Sequence, residues 1–210
     1  MVLEVLQGWL TAIATGAGVY VAIGGLNSWR RETTGKRDIE LCQAVIERFY
    51  EAEHRMDVLR SPYSFASEAA SRQKGEHESE DESYRLDLLF VPLARLEAQS
   101  AFWSELFSYK FRMRALFGEE AATTFNHIDD AYRSFRAAAV TRYQALHRNP
   151  DGLSPETQTK LEERIWAELA EPDEIAMKMR EAINAMERVC IPIVRSTRPA
   201  KRLTALLKRS

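Results

Sequence analysis

Between Glu4 and Arg30 the chain has no charged residue for 25 positions, and no other property of the sequence restricts its fold as tightly. About 20 apolar residues in a helix suffice to cross a hydrocarbon core of about 30 Å. Trp9 and Trp29 are separated by a number of helical steps that spaces their indoles by roughly 30 Å at 1.5 Å per residue. Tryptophan favours the two interfaces of a bilayer, so a transmembrane helix is expected over residues 5–29. The flanking cations Arg30, Arg31, Lys36 and Arg37 all follow the run. The positive-inside rule then sets the N-terminus outside and the rest of the chain in the cytoplasm. A cleaved signal peptide would carry its positive charge ahead of a shorter apolar core. Gln7, Thr11, Thr15 and several glycines favour the other competitor, a buried helix of a soluble domain.

Two small-residue ladders lie within this run, Gly8, Ala12 and Gly16 on one face and Ala14, Gly18 and Ala22 on another. Such faces let two helices approach closely, so association of the chain with itself in the membrane is an expectation.

Charge is distributed unevenly. Residues 195–210 hold six basic groups, Arg195, Arg198, Lys201, Arg202, Lys208 and Arg209, and no acid. Residues 38–194 hold 19 basic and 29 acidic residues, a net of −10 against −2 for the whole chain. This gives an acidic body, residues 30–194 with the anchor's flank, followed by a basic tail, 195–210. Two cysteines far apart, Cys42 and Cys190, supply neither a disulfide framework nor a zinc motif.

The body reads as helix throughout, with no sustained alternation of period two. Around Phe49, residues Cys42, Val45, Ile46, Ala52 and Met56 fall on one helical face, and Ser61-Pro62 ends that helix. Residues 61–83 lose periodicity, and the acid-rich run from Glu76 to Glu82 predicts a mobile, solvated loop. One long helix is expected over about 84–117, its regular part starting near Pro92 and its end marked by Gly118. It carries an apolar band of Leu89, Leu93, Leu96, Trp103, Phe107 and Phe117, with Phe102, Leu106 and Phe111 beside it. From about Glu119 to His147 a heptad seam steps through Phe125, Ile128, Tyr132, Phe135 and Ala139. Asn149-Pro150-Asp151-Gly152 is a turn. Ser154 caps a shorter helix with Pro155 at its first position, and Leu161, Ile165, Trp166 and Leu169 form its apolar face. A last helix has Met179, Ala182, Met186, Val189 and Ile193 in register. The expected fold is all-α: an N-terminal transmembrane helix followed by an antiparallel bundle of long amphipathic helices.

The pieces Trp29-Arg30-Arg31-Glu32, Gly35-Lys36-Arg37, Glu40-Leu41, Phe49-Tyr50-Glu51-Ala52, Arg60-Ser61-Pro62-Tyr63 and Val91-Pro92-Leu93 resemble a family of bacterial proteins with one N-terminal span and a helical cytoplasmic body. The resemblance implies a bacterial inner-membrane location and no particular activity.

Chemical motifs are sparse. Glu51-Ala52-Glu53-His54 has the E-x-x-H spacing of di-iron bundles, but both side chains fall on the helix face opposite Phe49, and the chain has no second copy. Three arginine–histidine pairs match the R-x(4–6)-H motif of helical ribonucleases of the HEPN class: Arg48 with His54, Arg72 with His77, and Arg142 with His147. That is little more than the arginine content supplies by chance, and Arg142 with His147 is the candidate catalytic pair. Phosphate-binding glycine loops and a nucleophile elbow are missing. No cofactor and no metal are expected.

The tail's six cations and its leucines make it a candidate for contact with anionic lipid, whereas the body's net charge opposes nucleic acid. The leading expectation is a non-enzymatic module that is tethered to the lipid bilayer and binds a protein partner, itself included. The alternatives are a membrane-bound HEPN-like ribonuclease and an accessory subunit of a larger membrane complex.

Overall fold

Helix-favouring residues with an apolar period near 3.6 dominate the sequence, and the described part of the chain contains helices and turns only. The structure, a computed structural model, describes the backbone of residues 2–196 and the side chains of Tyr20, Trp29 and residues 33–195. In chain order the elements are α1 (Val2–Leu59), a 3₁₀ turn (Ala66–Ser71), α2 (Glu80–Ala98), α3 (Ser100–Phe117), α4 (Glu119–Arg148), α5 (Pro155–Ile165) and α6 (Glu174–Ser196). The chain divides into two units, Ala44–Pro192 and a second formed by Met1–Gln43 with Ile193–Ser210.

In the second unit the backbone of α1 is helical through the uncharged run. Among the described residues no helix is long and apolar enough to cross a membrane. The expected span lies outside the residues whose side chains are described, apart from Tyr20 and Trp29, which are exposed. Trp9, Arg30, Arg31 and both small-residue ladders fall outside them as well. Lys36, Arg37 and Arg195 are exposed, and the other tail cations, Arg198, Lys201, Arg202, Lys208 and Arg209, lie outside the described residues.

The bundle of Ala44–Pro192 is organised around α4, which packs against α2, α3 and α5. The expected seam is its core: Phe125, Ile128, Phe135 and Ala139 are buried, and Tyr132 is half-buried. Burying one such large apolar side chain contributes about 1.5–3 kcal/mol. Phe125 meets Phe49 of α1 edge to face with ring centroids 4.9 Å apart. Tyr132 packs on Trp103 of α3 at 4.8 Å. In α6 the buried stripe is Ile175, Met179, Ala182, Met186 and Cys190. Gly118 alone joins α3 to α4 at φ 84°, a left-handed conformation that favours glycine, and its N–H reaches Arg114 O at 3.0 Å. Ser154 caps α5 as expected, its side chain accepting from Thr157 N–H, with Pro155 at the first turn.

Three expectations need correction. The helix read as 84–117 is two, α2 and α3, separated at Gln99, and α2 starts at Glu80 with Pro92 in its interior. The early start has a cause. Ser79 accepts from Glu82 N–H, and Glu80, Asp81 and Glu82 complement the positive end of the helix dipole. Second, the segment 61–83 is anchored through Arg72, while Glu76, His77 and Glu80 to Glu82 stay exposed as expected. Arg72, its side chain only 2% exposed, makes two bonds to Glu78 at 2.8 and 2.9 Å and one to Asp87 at 2.6 Å. The Arg72 guanidinium, helped by the Gly75 N–H, holds the Glu78 carboxyl down at about 2. Third, Phe111 is 74% exposed, because 100° per residue turns it about 200° from the buried Met113. Leu169 is exposed too, since α5 stops at Ile165 and never reaches it.

Candidate partner-binding cleft

The end of α1 and the connection between α5 and α6 form the most elaborate corner of the molecule. Ser61-Pro62 ends α1, and α5 ends when Trp166 turns extended at φ −104° and ψ 136°. The chain then passes Glu168 at φ 67° and a cis Glu171–Pro172 bond before Asp173 starts α6. The Asp173 carboxylate caps that helix, accepting from Ile175 N–H and Ala176 N–H at 3.1 Å each.

Arg60 ties these pieces together. It is 3% exposed, and its Nη1 lies 2.8 and 2.7 Å from the two Asp173 oxygens. Its other nitrogens donate to the carbonyls of Arg164 at 3.2 Å, Glu163 at 3.2 Å and Trp166 at 3.1 Å, the groups a helix leaves unpaired at its C-terminus. A planar guanidinium has enough donors in a fixed fork to serve all of them, which an ammonium has not. On the other side of the corner Arg95 of α2 donates to the carbonyls of Val58, Leu59, Ser61 and Tyr63 and to the Glu68 carboxylate. The end of α1 is thus held from two directions by buried cations.

Outside this framework lies an open cleft of about 770 Å³. Its apolar surface comes from Pro62, Tyr63, Ala167, Ala170, Ala176 and Met177, and its charged rim from Asp57, Glu168, Glu171, Asp173 and Arg180. Tyr63 is 82% exposed and Phe65, two residues on, 76%. Asp173 is committed to Arg60. The side chains of Asp57, Glu168, Glu171 and Arg180 make no hydrogen bond or ion pair among the described residues. Burial pushes the Asp57 carboxyl up, against the opposing pull of His54 and Arg60. Nor does any backbone group of residues 168–172 hydrogen-bond elsewhere in the chain, among the described residues. The cleft therefore offers three unpaired carboxylates, the unpaired Arg180 and exposed apolar side chains, a net-acidic set suited to a segment of net positive charge.

The candidate catalytic pair is not assembled into a shared contact. Arg142 is directed to α5, where it meets Glu162 at 3.2 Å, and Gln158 donates to the same carboxylate at 3.0 Å. His147 is exposed and stacks on Tyr143 with ring centroids 5.2 Å apart. His54 is exposed as the wheel required, while Glu51 is held between Arg48 and Arg55. Among the described residues no group of His, Cys, Asp and Glu side chains is placed to hold a metal ion. Asp57, Arg60, Arg95 and Asp173 carry the corner, and none of them stands out as a site in the sequence. One signal was present: Glu171-Pro172-Asp173 marks a break followed by a capping residue.

No family model matches the chain, no curated protein matches it, and no solved structure matches it.

Proposed function

We propose that this chain is a membrane-tethered helical module that binds a protein partner through the cleft between the end of α1 and the α5–α6 connection. The observation that carries the binding role is the rim: carboxylates left without partners beside aromatic and aliphatic side chains left in solvent. What supports the reading is that these carboxylates are grouped around the exposed Tyr63 and Met177 in one concave surface.

The tether rests on separate grounds. Residues 5–29 are uncharged, the α1 backbone is helical through them, and the side chains of Tyr20 and Trp29 stand exposed. Residues of that kind favour the bilayer and its interface. The cations Arg30, Arg31, Lys36 and Arg37 set the body on the cytoplasmic side of a bacterial inner membrane.

Two measurements test the proposal. Alkaline extraction of membranes containing the full chain leaves it in the pellet if residues 5–29 span the bilayer, and release into the supernatant refutes the tether. A cross-linked purification from the same membranes recovers a stoichiometric protein partner from the parent chain and loses it from Glu168→Lys/Glu171→Lys. Recovery of RNA fragments with no protein would transfer the function to Arg142 and His147 instead.

A further inference from the structure

The partner-binding reading leaves the occupant of the cleft unnamed, and the chain itself contains a segment of the required chemistry. The groove is lined with Tyr63, Pro62, Ala170 and Met177 and rimmed by unpaired Asp57, Glu168 and Glu171 against the single unpaired cation Arg180. An occupant therefore needs an excess of cations with apolar side chains between them. Residues 197–210 read Thr-Arg-Pro-Ala-Lys-Arg-Leu-Thr-Ala-Leu-Leu-Lys-Arg-Ser. They contain Arg198, Lys201, Arg202, Lys208 and Arg209, three leucines and no carboxylate side chain.

We propose that the cleft of one copy takes the basic C-terminal segment 197–210 of a second copy, its cations against Asp57, Glu168 and Glu171 and its leucines against Tyr63 and Met177. The proposal rests on the partner-binding reading and gives that partner an identity. The cleft of about 770 Å³ has room for a few side chains of that segment, the remainder lying outside it. Lipid is the competing destination for the segment, and the cleft differs from lipid in demanding specific carboxylates.

The test uses the purified full chain in detergent, with Met177→p-benzoylphenylalanine, prepared as a mixture of isotopically light and heavy copies. Irradiation followed by mass spectrometry should give cross-links from position 177 to peptides within 197–210, with light joined to heavy. Glu168→Lys/Glu171→Lys should lower their yield roughly tenfold, two exposed charge pairs being lost and reversed. Lys201→Glu/Arg202→Glu should do the same alone and restore the yield when combined with the first pair. Glu168 and Glu171 are exposed, and an unchanged thermal melt verifies the fold of each variant. Cross-links absent from 197–210, indifferent to charge reversal, or confined to copies of one label would each overturn the proposal. A different protein recovered from membranes by the parent chain and lost from Glu168→Lys/Glu171→Lys, with no cross-link from position 177 to 197–210, would overturn this occupant while the partner-binding reading stood.

Discussion

Replacing Arg60 by methionine removes the five donor contacts that its guanidinium makes to Asp173 and to the end of α5, while keeping most of the side-chain volume. The structure sets the cost. Asp173 loses its ion-pair partner, and the carbonyls of Glu163, Arg164 and Trp166 lose donors at 3.1–3.2 Å. Removing one member of a fully buried pair costs about 3–5 kcal/mol. Asp173 retains 22% side-chain exposure and its two capping bonds, so the lower end, about 3 kcal/mol, applies. For a chain of this size that corresponds to a fall in Tm of about 6–12 °C. Thermal and urea unfolding of the full chain in detergent, followed by circular dichroism, measures it. Asp173→Asn keeps an oxygen for the cap but leaves Arg60 a buried cation, and should cost about 2 kcal/mol. Arg133→Ala breaks an exposed pair with Asp129 and should stay within about 0.5 kcal/mol of the parent. The reasoning is refuted if Arg60→Met is no more destabilising than Arg133→Ala.

Three further outcomes are expected. Glu78 has its pKa lowered from the ordinary 4.5 to about 2, so its pairing with Arg72 contributes fully above the ordinary value and is lost as pH falls toward 2. The protection of the Gly75 amide, its exchange rate relative to the intrinsic rate at each pH, should fall over that window because it donates to Glu78 Oε1 at 2.7 Å, and constant protection would contradict the pairing. In Gly152→Ala the new methyl would meet backbone oxygens of Ala145 at 2.8 Å and Asn149 at 3.0 Å, costing about 1–3 kcal/mol in urea unfolding. His147→Ala removes an exposed ring stacked on Tyr143, and should leave both Tm and partner recovery unchanged; lost function in a folded variant would favour the ribonuclease reading.

The parts of this fold legible in the sequence are those whose cause is local. The α4 seam follows from spacing along one helix, and the α5 cap from Ser154 and Pro155 side by side. Where composition and a local signal compete, composition misleads. Ser79-Glu80-Asp81-Glu82 has the pattern of a helix start, yet the density of acids reads as solvated chain. The buried arginines are illegible for a different reason. An arginine near a helix end is ordinarily a surface residue, and nothing beside Arg60 announces acceptors more than 100 positions away. The cleft inherits that opacity, because its walls meet only after those distant groups have paired. The exposed Phe111 and Leu169 show the converse error, since an apolar residue near a seam need not belong to it.

The same separations bear on the order in which the molecule assembles. The pairs α3–α4 and α4–α5 are joined by the single residue Gly118 and by a turn at Asn149–Gly152, so their contacts close short loops. Arg60 reaches groups 103 to 113 residues away. Each doubling of loop length adds only about 0.6 kcal/mol of closure entropy, but that cost falls before any contact of the corner is made. The corner is thereby a late event in folding, formed on a scaffold of hairpins already in place. During synthesis the end of α1 leaves the ribosome well before Asp173, and waits with an arginine exposed until α6 has been made.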